Sequence, residues 1–144
     1  MTVYYSTELA SIAATPVVKA NVVKAHGARV RRYRATITMA QQTTSDTIVL
    51  ADIPAGCVFA FGVITASATV GSTATIAIGI TGATGKYRAA ATHQTANTPT
   101  LFGTAATIGA TAPLTATETI FVTIAAASLP ASGTLVYDLY FTDG

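Results

Sequence analysis

The sequence has no tryptophan, one cysteine and little charge. Charged residues make up 10% of its 144 positions, against roughly 25% in ordinary soluble domains. Thr, Ser, Gly and Ala fill the vacated places, so the expected surface is neutral and hydroxyl-rich, which repels neighbours poorly and suits a subunit of an assembly. A lone cysteine excludes an intrachain disulfide framework. Cys57 sits in the apolar run 56–63 and is expected to be a buried thiol. Residues 53–85 carry no charge, yet Thr, Ser and Gly interrupt them well short of the ~20 apolar residues of a spanning helix. The opening MTVYYSTELAS lacks the basic start and apolar centre of a secretory signal. Membrane contact is therefore not expected.

Catalytic motifs are missing as well. No GxSxG stands in the chain, so a serine hydrolase elbow is absent. The stretch Gly82-Ala83-Thr84-Gly85-Lys86-Tyr87 fails as a phosphate loop, because Ile80 stands where the first glycine belongs and Tyr87 where Ser or Thr should follow the lysine. It is expected to form a turn. His26 and His93 have no companion ligands at metal spacing, so no metal and no cofactor is expected and both histidines are assigned to solvated loops. Asp46 and Asp52 are close enough in sequence to meet across a turn. Two carboxylates without tryptophan are a weak basis for sugar cleavage, however. The chain is not expected to be an enzyme.

What is present is β pattern. Tyr33, Ala35, Ile37 and Met39 alternate with Arg32, Arg34, Thr36 and Thr38, the period-2 signature of a strand with one covered face. Further strands are predicted at 47–50, 57–66, 73–80, 86–91, 119–125 and 134–142, with a weaker one at 100–102. The run 57–66 is apolar on both parities, which predicts a central strand covered on both sides. A turn is expected over 52–56, a hairpin loop over 128–133, and a long irregular connection over 92–113. About eight strands without helix-length spacers predict an all-β sandwich, jelly roll first and an Ig-like or simpler Greek-key sandwich second.

Charge divides the chain unevenly. Residues 1–34 carry six basic side chains against Glu8, a net of +5, while residues 35–144 carry two against five acids, a net of −3. The reading is an extended N-terminal arm over 1–28 and a sandwich body over 29–144. Within the arm, Leu9, Ile12 and Ala13 could share one helical face capped by Ser6 or Thr7, which Pro16 would end. Lys19, Lys24, Arg29, Arg31, Arg32 and Arg34 are the candidate protein-contact residues, because guanidinium groups grip carboxylates and carbonyls of a partner. In a strand Arg29 and Arg31 point to one side and Arg32 and Arg34 to the other, so some must be paired. A solvated strand entrance is the plain alternative. Nucleic-acid binding is disfavoured, since only Tyr33 interleaves with these bases.

The arm MTVYYSTELASIAATP, the strands TIVLADIPAGCVFAFGVITAS and TATIAIGI, the segment GKYRAAA and the closing TIFVTIAAASLPASGTLVYDLYF carry a resemblance in style and order. The chain resembles the small all-β head-decoration (cement) and minor capsid proteins of tailed bacteriophages. That resemblance implies a non-enzymatic virion component, made in the host cytoplasm, that binds the outer lattice of the major capsid protein, often as a homotrimer. Its N-terminal segment would reach neighbouring subunits. Two other readings stay open: a coat or nucleic-acid-packaging subunit, and a carbohydrate or cell-surface module of a fibre or tail tip.

Overall fold

The computed structural model describes residues 29–110 and 112–143. Eight strands make up the body: β1 (Val30–Thr38), β2 (Thr47–Ile53), β3 (Cys57–Ala66), β4 (Thr75–Ile80), β5 (Ala83–Ala91), β6 (Thr100–Phe102), β7 (Glu118–Ala125) and β8 (Thr134–Asp143). One short helix, α1 (Ala105–Ile108), follows β6 and is capped at its start by Thr104 and Thr107, which bond each other's backbone. The strands form two antiparallel sheets, β1-β8-β3-β6 and β2-β7-β4-β5. The pairs β4·β5, β3·β6, β2·β7 and β1·β8 are nested, so the chain is one long hairpin, with its tip between β4 and β5, rolled until its halves face each other. That is the jelly roll, the first of the architectures expected.

The rolling is driven by what each sheet turns inward. Leu135, Tyr137, Leu139 and Phe141 of β8 meet Ile76 and Ile78 of β4 and Ile120, Val122 and Ile124 of β7 in one buried cluster. Its aromatic end joins both sheets. Phe59 of β3 lies 4.7 Å from Tyr87 of β5 and 5.3 Å from Phe141, and Tyr33 of β1 meets Phe141 edge to face at 5.9 Å. Such edge and tilted contacts add ~0.5–1.5 kcal/mol each beyond area burial. Cys57 is buried, as expected.

β1 follows its alternation: Tyr33, Ala35 and Ile37 turn inward and Arg32, Arg34, Thr36 and Thr38 outward. β3 does not behave as its composition predicted. It is central in its sheet, between β8 and β6, but only one of its faces lies in the core. A bulge at Ala60 breaks the register, pairing Phe59 with Phe141 and Phe61 with Tyr140. Inward positions therefore switch from odd (Cys57, Phe59) to even (Ile64, Ala66), and Phe61 is turned out to the surface. One extra residue is enough to do this because side chains alternate with period 2. Gly62 pairs with Phe102, and a Cβ on Gly62 would overlap the Phe102 ring; glycine is what lets β6 lie against β3.

Other expectations shift at the edges. β2 continues to Ile53, leaving a turn of Pro54, Ala55 and Gly56, with Gly56 at φ 89°. β5 begins at Ala83, so Lys86 and Tyr87 are strand residues and the turn is Thr81-Gly82. The connection 128–133 is not a hairpin loop: it crosses from β7 in one sheet to β8 in the other. The stretch 92–113 holds β6 and α1.

Phe141 is fully buried and touches three rings. Phe141→Ala is expected to cost about 3–5 kcal/mol, read as a lower denaturant midpoint in equilibrium unfolding; a cost below about 1 kcal/mol would contradict this account of the core.

Candidate protein-contact surface

The arginine cluster lies on and just before β1, the edge strand of the first sheet. Lys19, Lys24, His26, the residues proposed for an arm helix and the arm itself lie outside the described residues. Strand alternation splits the arginines as expected. Arg31 is on the core-facing side but sits beyond the core, where its Nε meets Asp143 Oδ1 at 2.8 Å. Arg29 is exposed, and its carbonyl accepts a bond from the Asp143 amide at 3.2 Å. Arg32 and Arg34 point outward onto Asp138 of β8, the residue opposite Arg34 in the ladder. Arg34 grips it with two bonds, Nε to Oδ1 at 2.8 Å and Nη2 to Oδ2 at 2.7 Å. Arg32 is 3.7 Å from the same carboxylate.

The sequence reading therefore located the cluster but missed its partners, the acids of β8, which are about 105 residues away in the chain and become neighbours only through the nested pairing. Two guanidinium groups share one carboxylate, so an unneutralised positive charge remains. The three paired arginine side chains stay about half exposed, leaving N–H donors free on the surface. Arg34 holds the Asp138 carboxyl below its ordinary range, by hydrogen bonding first and charge second.

Register places the arginines at one side of a mixed face. Across the outside of the first sheet run the rows Arg32–Tyr140–Phe61, Arg34–Asp138–Val63–Leu101 and Thr36–Val136–Thr65. Phe61 stacks on Tyr140 at 4.6 Å. Beside them Phe61, Leu101, Phe102, Gly103 and Ile108 line an open groove of about 440 Å³. The face is cationic at β1 and apolar at β3, β6 and α1. Only the bulge at Ala60 brings Phe61 here, so no period-2 reading could have found it.

A second polar cluster sits on the other sheet. Glu118 accepts from Lys86 Nζ at 2.5 Å and from the Tyr87 hydroxyl at 2.6 Å. Burial, with help from that bond, pushes the Tyr87 phenol up. All three groups are used in holding one another. Asp46 and Asp52 do not form a pair: Asp46 accepts from the Thr43 amide at 2.6 Å, and Asp52 from the Thr119 hydroxyl at 2.5 Å. Among the described residues no group of three or more His, Cys, Asp or Glu is placed to hold a metal.

His93 departs from its expectation. It is buried, not solvated, because its carbonyl accepts from the Val70 amide at 2.9 Å and ties the loop down. Its Nε2 and the Tyr137 hydroxyl are buried without partners. Arg88, whose guanidinium bonds the carbonyls of Ile76, Ala91 and Thr92, adds a like charge nearby. Burial first and Arg88 second hold the imidazole below its ordinary value, while a hydrogen bond donated by the ring to the Thr95 backbone opposes them.

The chain matches no protein-family model, and no curated protein matches it. Its fold is shared with chains in three solved structures. A chain of the capsid asymmetric unit of cyanophage Pam1 is 14% identical with a TM-score of 0.67, the match covering 91% of this chain and 96% of that one. The capsid of Ralstonia phage GP4 gives 20% identity and a TM-score of 0.64 over 81% and 85%. The acid-stable capsid of Helicobacter pylori bacteriophage KHP30 gives 10% and 0.57 over 80% and 89%.

Two pH effects follow. Asp138 has a depressed folded value, so its contribution is present above the ordinary carboxylate pKa of ~3.9 and is lost as pH falls through the folded value. In unfolding titrations Asp138→Asn should lose that part of the acid dependence; an unchanged profile would refute the Arg34–Asp138 pair. His93 is also depressed, but it is a base: the unfolded chain takes up its proton below about pH 6.5 while the folded one resists, so stability declines as pH drops from there. His93→Gln should flatten that segment of the curve, and an identical slope in both proteins would contradict the burial.

Proposed function

We propose that the chain is a structural, non-enzymatic virion protein that decorates a phage head, binding the outer lattice of the major capsid protein through its N-terminal segment and the basic edge of β1. In this reading it acts as a homotrimer, and Lys19, Lys24, Arg29, Arg31, Arg32 and Arg34 contact the capsid or a neighbouring subunit. The observation that carries the proposal is the nested eight-strand roll, which matches a chain of a phage capsid asymmetric unit over nearly the full length of both.

The surface chemistry supports the same reading. Arg31, Arg32 and Arg34 are held by the chain's own Asp143 and Asp138, which fixes their direction and reduces the net charge available to phosphate. Fixed guanidinium groups with spare donors match carbonyls and carboxylates on a protein lattice better than a polyanion. Each docked copy would bury apolar and hydrogen-bonding area across capsomer boundaries and so oppose the outward pressure of packaged DNA. Ordering the leading segment costs entropy, which its contacts must exceed.

Removing residues 1–28 is expected to leave a folded body that no longer co-sediments with capsids. Unchanged occupancy of capsids by the shortened chain would refute the role assigned to that segment.

A further inference from the structure

Two edge strands lie close together on one flank of the roll. β1 ends the first sheet and β2 the second, and among the described residues β1 pairs with β8 and β2 with β7, each on one side alone. An open strand edge is a template for another strand. The two edges carry opposite charge. Arg29, Arg31, Arg32 and Arg34 exceed their partners Asp138 and Asp143 by two positive charges. The β2 side carries Asp46 and Asp52, both exposed, and residues 35–85 hold no basic side chain. Each edge also exposes a valine, Val30 at 63% and Val49 at 60%. On β1 the outward positions are Val30, Arg32, Arg34, Thr36 and Thr38. On β2 the extra residue Leu50 brings Thr47, Val49 and Asp52 to one outward face.

We propose that copies of this chain associate through this flank, the β1 edge of one lying antiparallel to the β2 edge of the next. One register matches the outward positions throughout. Arg32 opposite Asp52 of the next copy sets Val30 opposite Pro54, Arg34 beside Val49 and Thr36 opposite Thr47. These are an ion pair, an apolar pair, an arginine stem laid on a valine and a hydroxyl pair, all favourable across strands. Pro54, which has no N–H to donate, falls just past the end of β2. A second β1 is the wrong partner, because it brings two surpluses of positive charge together. Since two different edges meet, the contact is head to tail, and with both edges on one flank it closes around an axis beside that flank. The inference rests on the homotrimer of the proposed function and names its interface. Arg32 and Arg34 meet the neighbouring subunit, while the start of the β1 edge, at Arg29, stays open to the lattice.

Sedimentation equilibrium of the full chain without capsids tests it. The parent protein should show a mass near three times the 14.6 kDa of one chain. Asp52→Arg should raise the concentration at which half the chains are assembled about tenfold, because an attraction worth about two- to fivefold becomes a repulsion. Arg32→Asp alone should do the same. The double variant Arg32→Asp, Asp52→Arg should return to within about threefold of the parent, and its recovery also shows that the exchanged side chains leave the fold intact. A mass of 14.6 kDa at every concentration, indifference to Asp52→Arg, or a double variant that does not recover would overturn the proposal. A mass near twice that of one chain, following the same charge pattern, would keep this interface and contradict the homotrimer. Capsid co-sedimentation is a separate readout, so failure there leaves this result unaffected.

Discussion

The pairing of β8 between β1 and β3 is the interaction on which the rest of the molecule depends. Its inward residues Leu135, Tyr137, Leu139 and Phe141 supply a large part of the core. Its outward Asp138 collects Arg32 and Arg34, and its Tyr140 carries Phe61. The last strand of the chain thus ties down the first described one. In a nested roll every pairing beyond the β4–β5 tip closes a long loop, and such contacts form only after that entropy has been met. The β1·β8 pair is the most distant of them and the one that places the cationic edge next to the apolar groove.

Strand positions were largely legible in the sequence because alternation and turn chemistry are local. β1 and β6 stand where their patterns put them. What could not be read depended on events outside any short window. The bulge at Ala60 exists only relative to β8, so an apolar run on both parities looked like a doubly covered strand when it is a strand that changes face. The residues 128–133 have hairpin chemistry, yet they join different sheets, since a Pro- and Gly-bearing connection does not reveal which edge its ends will meet. Asp138 and Asp143 are unremarkable acids until the roll brings them to the arginines. His93 is held inside by a backbone bond to Val70, which no side-chain pattern announces.

The scarcity of charge noted at the outset has a structural counterpart. Several of the charged groups are committed to one another: Arg31 with Asp143, Arg32 and Arg34 with Asp138, Lys86 with Glu118. The remaining surface is hydroxyl, small apolar and, at the groove, frankly hydrophobic. A surface of that kind agrees with the proposed contact with a protein lattice, in which directional ion pairs at an edge would fix orientation and apolar area would supply adhesion.

That account is tested most directly by electron cryomicroscopy of the particle with which the protein copurifies. It predicts density for the eight-strand roll on the outer surface of an icosahedral phage head, with the β1 edge turned toward the lattice. Density confined to the interior, to a tail fibre, or missing from a purified particle altogether would contradict it.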